Sequence, residues 1–394
     1  MTVYLDHAAT TPMLPAARAA MIEQLEHTGN ASAIHSLGRE ARRVVEESRE
    51  RIAAAVGALP SEVIFTSGGT EADNLAVKGT YAARHAALPA RRRLVVGGIE
   101  HHAVLDPVEY LLGQEGAEVT FVEPAPDGLI TPDALAEALG PDPGDVALIS
   151  IMWANNEIGT IAPIPALAAI AREHGIPMHS DAVQAVGHIR VDFAASGLDL
   201  LTLTGHKLGG PVGIGALLAR RDARLVPLLH GGGQERQVRS GTLDVPAIAA
   251  LAVAIDESVA GLAQESQRQI ALRDNLIERA LALGLDLHLT GAWTPGNADD
   301  RLPGNVHLRV PGADGDSLLF LLDAADIACA TGSACSAGVP RASHVVLALG
   351  IPDEEARGAL RLSLGHTSTQ SDVDAVIAAL PAAVERARRA RGAA

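Results

Sequence analysis

Short apolar segments alternate with amphipathic ones between residues 60 and 220. The apolar segments have the length of buried strands, while the amphipathic ones, such as 70–83 and 164–174, repeat with the period of a helix. This alternation predicts crossover connections and a mostly parallel sheet, and hence an α/β fold whose ligand binds at the carboxyl ends of the strands. The predicted strands are 62–65, 94–96, 119–122, 146–151, 177–179, 200–203 and 215–218.

The segments on either side of this region extend the prediction to two domains. An amphipathic helix is predicted at 36–56, and one long helix or two short ones at 246–284. Later segments mix strands and helices, so we expect a large domain at 15–255 and a smaller α+β domain made of 1–14 plus 256–394. In the last helix we expect Pro381 to kink or interrupt the chain, and we expect 386–391 to be a solvated tail.

Composition and charge exclude several classes of protein. Hydrophobic residues make up 48% of the 394 residues and charged residues 20%, as in ordinary globular proteins. The net charge of −16 argues against nucleic acid or an anionic membrane as a partner. With two cysteines, no apolar run of about 18 residues and no signal-peptide pattern at the start, we expect a cytoplasmic protein without a disulfide framework.

Lys207 ends the motif Thr204-Gly205-His206-Lys207, directly after a predicted apolar strand. A lysine at a strand end can be held over a pocket, where desolvation lowers the pKa of its amine and makes it nucleophilic toward carbonyl groups. On these four residues alone, a lysine in a surface loop is an equally good interpretation.

A carboxylate stands at the end of the preceding predicted strand, in His179-Ser180-Asp181-Ala182-Val183-Gln184. Asp181 could pair with the protonated nitrogen of a pyridine ring, and Gln184, one turn later, could donate a hydrogen bond to a ring oxygen. The alternatives are a metal site at His179 and Asp181, for which further ligands are lacking at recognisable spacing, or a simple helix N-cap.

Two glycines follow the first strand of the alternating region, in the run 65–71. Free N–H groups and the dipole of the following helix make such a turn an anion site, with Gly69 and the Thr70 hydroxyl as candidate contacts. A glycine turn without a ligand is the alternative, because the run matches neither the Walker A nor the dinucleotide fingerprint.

Two further strand ends carry polar residues. His101, in Glu100-His101-His102, could lie over a planar cofactor and move protons. Asn156, in the run 153–159, could donate to a ligand, or could belong to a simple turn.

Cys335 and Arg361 are candidates for sulfur and carboxylate chemistry. The small residues and glycines around Cys335, in the run 330–338, indicate an exposed, mobile loop from which a thiolate could attack sulfur. Cys329, in Asp326-Ile327-Ala328-Cys329, is instead typical of a buried structural thiol. Arg361, inside the predicted strand 359–364, could clamp a substrate carboxylate, although a structural salt bridge is the more common role.

In this order and combination, the motifs resemble the cysteine desulfurases, which are fold-type-I enzymes dependent on pyridoxal 5′-phosphate (PLP) and related to the class-V aminotransferases. The resemblance extends from the run 4–12 to Ser363-Leu364-Gly365 and includes 231–235 and 239–242. It implies a large PLP-binding α/β domain with a mostly parallel, seven-stranded type of sheet. It also implies removal of sulfur from L-cysteine to give L-alanine. Selenocysteine lyase, or another PLP lyase or aminotransferase, is the alternative activity.

The resemblance also implies roles, position by position. Lys207 corresponds to the lysine that binds PLP covalently, Asp181 to the partner of the pyridine nitrogen, and Gln184 to the partner of the ring oxygen. His101 corresponds to the histidine that stacks on the ring and assists proton transfer. The phosphate is implied to lie at Gly69, Thr70, Thr204 and His206.

The remaining roles concern substrate, sulfur and partners. Asn156, which also belongs to the implied cofactor site, and Arg361 correspond to the residues that hold the substrate near its carboxylate. Cys335 corresponds to the persulfide carrier, whose setting is similar to that in the subgroup supplying iron–sulfur clusters. The resemblance implies no resident metal, although Cys335 can transiently ligate a cluster. Thr242 corresponds to a threonine that reaches the phosphate of a neighbouring subunit, which implies a homodimer. The sulfur acceptor is implied to be an iron–sulfur scaffold or a tRNA-thiolation enzyme.

Two departures from the family pattern are visible. Residues 30–35 lack a proline and a serine that relatives often have, and Thr204 stands where many have serine. The hydroxyl is kept at position 204, so neither departure removes a group that the implied chemistry needs.

Overall fold

The computed structural model describes residues 2–332 and 342–392, which form a layered α/β structure. A seven-stranded sheet has the strand order β2-β8-β7-β6-β5-β3-β4. Only β8 runs antiparallel to its neighbours, and the other pairings across the sheet are parallel. The predicted α/β fold with a mostly parallel sheet is confirmed. Its strands are β2 (Val63–Thr66), β3 (Arg93–Gly97), β4 (Glu118–Val122), β5 (Val146–Ser150), β6 (Met178–Asp181), β7 (Leu200–Thr204) and β8 (Gly215–Ala219).

Helices cover both faces of this sheet. Strands β5, β7 and β8 are buried along their whole length, which explains why they are apolar without alternation. One face packs on a large cluster formed with α1, α2, α7 and α9, and the other on a cluster formed with α3 and α5. The helices on this sheet are α1 (Pro15–Leu25), α2 (Ser36–Ala55), α3 (Gly69–Asn74), α4 (Thr80–Ala87), α5 (His102–Gln114), α6 (Pro132–Leu139), α7 (Ile164–Glu173), α8 (Phe193–Ser196) and α9 (Val245–Ala260).

Some helix boundaries differ from the predicted ones. The helix predicted at 70–83 is three consecutive helical pieces, because a π-helical turn, Leu75–Gly79, separates α3 from α4. The region 246–284 forms two helices, α9 and α10 (Leu262–Leu281), which meet at Gly261. Among the described residues no single helix is both long and apolar enough to cross a membrane, and α9 with α10 meets those criteria only as a pair bent by 70°.

A second apolar cluster surrounds a three-stranded antiparallel sheet of order β12-β10-β9. It is joined by Leu5, which follows strand β1, although Leu5 lies far away in sequence. Strand β1 pairs in parallel with β11. The domain boundaries at 14/15 and 255/256 stay a prediction. The elements are β1 (Val3–Tyr4), β9 (His288–Leu289), β10 (Asn305–Arg309), α11 (Gly315–Asp323), β11 (Ile327–Ala328), α12 (His344–Ala348), α13 (Asp353–Ala356), β12 (Ala359–Ser363) and α14 (Gln370–Gly392).

The end of the chain differs from the prediction in two respects. Helix α14 continues through Pro381 without the expected interruption, because its buried stripe from Val373 to Ala387 holds both sides of the proline against the core, while a kink at Pro381 stays a prediction. The segment 386–391 is part of this helix and not a loose tail, although Arg386 and Arg389 are exposed as expected. Ala387 is buried, and the Arg388 guanidinium donates to the carbonyls of Pro311 and Leu285, both at 2.8 Å.

Candidate active site

A cavity of about 250 Å³ opens where the strands β5, β6 and β7 end. All the predicted cofactor-binding residues except Thr242 line it. This is the edge at which parallel α/β sheets bind their ligands. The lining residues are Gly69, Thr70, Asp73, His101, Ala103, Met152, Ala154, Asn156, Asp181, Val183, Gln184, Thr204, His206 and Lys207.

A larger cavity, of about 630 Å³, lies at the opposite edge of the sheet and contains none of the predicted site residues. Arg84, Arg172 and Arg220 are among its lining residues. We assign the active site to the smaller cavity because it gathers an amine, carboxyl groups and a histidine around one space.

The chain has two lysines, and Lys207 is the one that lines this cavity. The other, Lys78, lies over the ring of Tyr110, 4.1 Å from the ring centre. The Lys207 Nζ donates to the carbonyls of Ala8 and Ala9 at 2.6 and 2.7 Å. Desolvation, followed by the positive charge of Arg361, lowers the pKa of the Lys207 amine to about 8. The amine is therefore held in place and is partly neutral near neutral pH.

Asp181 provides the carboxylate of the site. It ends β6, is 5% exposed, and accepts a hydrogen bond from the Val183 N–H at 2.8 Å. Burial raises its pKa to about 6, so the carboxyl group still ionises below neutral pH. Gln184 lies beside it and donates from Nε2 to the Ala8 carbonyl at 2.9 Å.

The glycine turn after β2 forms one end of the cavity. Gly68 has φ of +150°, a value that other residues rarely adopt, and α3 begins at Gly69 with its free N–H groups directed outward. A Cβ at Gly69 would lie 3.0 Å from a Val183 methyl group, so the turn packs closely against the segment after β6. Thr70 is exposed on this turn, and the Thr204 hydroxyl donates to the Ile214 carbonyl at 3.2 Å.

Two histidines complete the rim. His101 caps α5 by accepting from the Ala103 N–H at Nδ1 over 3.0 Å, so the proton of the neutral ring lies on Nε2. Desolvation and the charge of Lys207 lower the pKa of His101 to about 4, which keeps the ring neutral. His206 contacts the Thr10 hydroxyl at 3.4 Å, and its pKa is also lowered to about 4, mainly by desolvation.

Buried polar residues below the cavity were missed in the sequence. Burial, and after it the negative charge of Asp181, raises the pKa of the Asp73 carboxyl group. The Asp73 carboxyl group lies 3.5 Å from His179 Nε2. Burial also raises the pKa of Glu100, whose Oε1 accepts from the Met152 N–H at 2.6 Å. Asp73 stands one helical turn after Thr70, and this spacing was the available signal that it belongs to the site.

Arg361 is placed next to Asn156 but already has an anionic partner. Its Nη1 donates to the Asn156 carbonyl at 3.1 Å, and its Nη2 lies 2.8 Å from the Asp6 carboxylate. The Nε is buried without a hydrogen-bond partner among the described residues. The arginine thus forms the salt bridge that was the alternative interpretation, at a position adjoining the cavity, and the Asp6 partner was not predicted.

The last two predicted positions do not lie in the cavity. Thr242 is exposed and lines no part of it. Cys335 falls in 333–341, outside the described residues. Cys329 is half-buried, and burial raises the pKa of its thiol to about 12, which makes it a poor nucleophile.

Comparison with known proteins gives the same assignment as the motifs. The model of the aminotransferase class-V family matches residues 3–376. An IscS-like cysteine desulfurase of Mycobacterium tuberculosis is 57% identical over 98% of this chain and 97% of its own length. The chain belongs to the cysteine desulfurases of this family. A second relative, the cysteine desulfurase IscS of Methanosarcina thermophila, is 42% identical over 98% of this chain and 93% of its own.

Solved structures with 30% or more sequence identity share the fold. A NifS-like protein from Rickettsia africae superposes with a TM-score of 0.86 at 30% identity, over 98% of this chain and 100% of the other. SspA in complex with cysteine superposes with a TM-score of 0.78 at 34% identity, over 92% and 99%. Among the described residues of this desulfurase, no group of three or more His, Cys, Asp or Glu side chains is placed to hold a metal ion.

Proposed function

We propose that the cavity binds PLP and that the protein removes sulfur from L-cysteine, giving L-alanine and a persulfide on Cys335. The observation that carries this proposal is the meeting of Lys207 and Asp181 in one cavity whose opposite end is a glycine turn with free N–H groups. An amine, a buried carboxylate and an anion site match the aldehyde, the pyridine nitrogen and the phosphate of PLP. The residues present therefore fit the cofactor on which this family depends.

Bound PLP would supply an electron sink for the charge left when the substrate loses its Cα proton. Asp181 supports this chemistry because, with a pKa of about 6, it is ionised at neutral pH and can keep a pyridine nitrogen protonated. Gln184 can turn its amide from the Ala8 carbonyl toward a ring oxygen. Gly69, Thr70, Thr204 and His206 would hold the phosphate.

Lys207 and His101 handle the protons. Because its pKa is about 8, the Lys207 amine can accept a proton at Nζ and return it at neutral pH. His101 presents an N–H at Nε2, since its Nδ1 is occupied by the Ala103 N–H. It can therefore donate a hydrogen bond at the rim, where its ring would adjoin the bound cofactor.

Arg361 and Asn156 would hold the substrate carboxylate. The Arg361 guanidinium is 3% exposed, and its buried Nε–H group has no partner within 2–332 and 342–392, so it retains donor capacity beyond its contact with Asp6. A substrate carboxylate would share this cation with Asp6, in the manner of a charge-assisted hydrogen bond.

Sulfur transfer requires no external oxidant. The Cys335 thiolate attacks the substrate sulfur, an S–S bond forms, and the bond between that sulfur and Cβ breaks. The electron pair of the broken bond remains with Cβ, which takes up a proton and becomes the methyl group of alanine. The substrate sulfur is oxidised to the persulfide level, and Cβ is reduced by the same two electrons.

Product analysis tests the proposed function. The PLP-loaded protein is incubated with L-cysteine and a reducing thiol, and alanine, pyruvate and sulfide are measured together. Equal amounts of alanine and sulfide are expected, and Cys335→Ala should bind PLP but release no sulfide. Pyruvate in place of alanine would mean elimination, and a fully active Cys335→Ala enzyme would remove Cys335 from the mechanism. L-Selenocysteine as the only accepted substrate would establish the alternative, a selenocysteine lyase.

We further propose a cytoplasmic homodimer that passes its sulfur to an iron–sulfur scaffold or a tRNA-thiolation enzyme. The exposure of Thr242 outside its own cavity supports a role in the site of a partner subunit. Sedimentation equilibrium tests the dimer, and mixing Thr242→Ala subunits with Lys207→Ala subunits tests the shared site. If Thr242 serves the partner, the mixed dimer should contain one site with both defects and one with neither. Cell fractionation tests the cytoplasmic location, and capture of the persulfide by purified acceptors tests the transfer of sulfur.

A further inference from the structure

The two ends of the segment that carries Cys335 reach the same buried carboxyl group. Ser343, just after this segment, donates from its hydroxyl to Glu157 Oε2 at 2.5 Å. Gly332, just before it, lies so close that a Cβ there would be 2.8 Å from the same oxygen. Its φ of +103° also favours glycine, so this close approach is built into the backbone.

Glu157 is itself held firmly. It is 3% exposed, its N–H donates to Asn155 Oδ1 at 2.9 Å, and its carbonyl accepts from Asn305 Nδ2 at 2.9 Å. Asn155 in turn donates to the Ile99 carbonyl. The backbone that bears the carboxyl group is thus fixed in a hydrogen-bonded loop between β5 and α7.

The same loop forms part of the active site. Asn156 lines the cavity, and its carbonyl accepts from Arg361. Arg361 exchanges both backbone hydrogen bonds with Ala330, at 2.6 and 3.1 Å, two residues before Gly332. On the other side His344, next to Ser343, contacts the Glu100 carbonyl at 2.9 Å, beside His101.

The proposed chemistry assigns no step to an acid at position 157. Burial raises the pKa of the Glu157 carboxyl, and a neutral carboxyl can both donate and accept hydrogen bonds. An amide of the same shape can do the same, so glutamine is the matched conservative replacement.

We propose that Glu157 is a positioning residue that holds the two ends of segment 333–341 beside the loop bearing Asn156, through its hydrogen bond with Ser343 and its close packing against Gly332, and so controls how efficiently Cys335 reaches the substrate sulfur. This inference rests on the proposed function. It predicts a defect confined to the one step that uses Cys335.

The experiment separates that step from the chemistry at Cα. Glu157→Ala and Glu157→Gln are purified with PLP, and two rates are measured for each. The first is exchange of the Cα proton of L-alanine with deuterated solvent, which needs Lys207 but not Cys335. The second is formation of the Cys335 persulfide in a single turnover, trapped by alkylation and measured by mass spectrometry.

We expect Glu157→Ala to slow persulfide formation about ten-fold or more, as the loss of one buried hydrogen bond permits, and to leave proton exchange within about two-fold. Glu157→Gln should restore most of the persulfide rate. An unchanged persulfide rate in Glu157→Ala, or an equal fall in both rates, would overturn the inference. So would a defect that glutamine does not relieve.

Two further variants protect this test against a folding defect. Glu62→Ala is the matched control, because Glu62 is also buried and accepts one hydrogen bond, from the Leu59 N–H at 2.8 Å, far from the cavity. It should change neither rate. If Glu157→Ala does not fold, Ser343→Ala takes its place in the test. We expect it to slow persulfide formation and not proton exchange, and a wild-type persulfide rate would contradict the inference. A wild-type protein that forms no persulfide on Cys335 would refute the proposed function itself, before any variant is compared.

Discussion

Lys207 has to lose a proton before its amine can attack the aldehyde of PLP, and its surroundings determine the pH at which it does so. Burial lowers the pKa of the amine from 10.5 to about 8. At pH 7.5 about a quarter of such amines are neutral, against about one in a thousand at the ordinary pKa. The neutral fraction is therefore raised roughly two hundred-fold. Apoprotein mixed with PLP should bind it at a rate that rises with pH, is half-maximal near pH 8 and levels off above about pH 9.

The charges near Lys207 allow a sign test of the same reasoning. Arg361 lowers the pKa of the amine, whereas Asp181 raises it. Arg361→Met should therefore move the midpoint of the pH dependence upward, and Asp181→Asn should move it downward. The rate is followed by absorbance after rapid mixing between pH 6 and 10, with Lys78→Met as the control that leaves the midpoint unchanged. A wild-type midpoint near 10.5, or shifts of both charge variants in the same direction, would refute the reasoning.

Three further predictions concern stability and the second thiol. Arg49→Met leaves the Glu235 carboxylate, paired at 2.7 Å and 2% exposed, without its cation, and should cost about 3–5 kcal/mol in urea unfolding. A loss below about 1 kcal/mol would contradict this expectation. Gly365→Ala places a Cβ 2.1 Å from the His7 ring and should lower stability by about 1–3 kcal/mol. Gly113→Ala, in α5 with open space around it, should raise stability by about 0.5–1 kcal/mol, and equal effects of the two substitutions would contradict this. Cys329→Ala should leave the persulfide yield unchanged, because a thiol with a pKa of about 12 is hardly ionised near pH 8, and a reduced yield would give Cys329 a part in sulfur transfer.

The central sheet was predictable because most of its strands, such as β2, β5, β7 and β8, are fully buried and are mainly apolar in sequence. Each predicted run overlaps an observed strand of this sheet. The reversed direction of β8 was not predictable, because apolar content carries no information on direction. The loop between β7 and β8, 205–214, is too short for a crossover, and its length was the one available hint.

The site was predictable where a residue follows a strand and not where a distant segment contributes. Lys207, Asp181 and His101 each stand just after a buried strand, so the fold class alone brings them together. The carbonyls of Ala8 and Ala9, which hold the Lys207 amine, are main-chain groups without any side-chain signature. Contacts of this kind depend on the path of the whole chain, which local patterns do not encode.

The last helix shows how one local rule can be outweighed. A proline inside a helix removes a hydrogen bond, and an arginine-rich end is usually solvated. In α14 the burial of a long apolar stripe outweighs the hydrogen bond lost at the proline. The Arg388 side chain bonds to the main-chain carbonyls of Pro311 and Leu285 in place of water. Both outcomes required knowledge of what the helix packs against.

The pairing of β1 with β11 has a consequence for how the protein is made. Val3 can pair with its strand partner only after Ile327 has been synthesised. A ribosome that adds about 5–20 residues per second reaches Ile327 roughly 15 to 65 s after Val3. Until then the first residues lack the strand that holds them, and the carbonyls that hold Lys207 are not in place. We therefore expect the nascent chain to acquire PLP only near the end of synthesis, and chains stalled before β11 to be released without it.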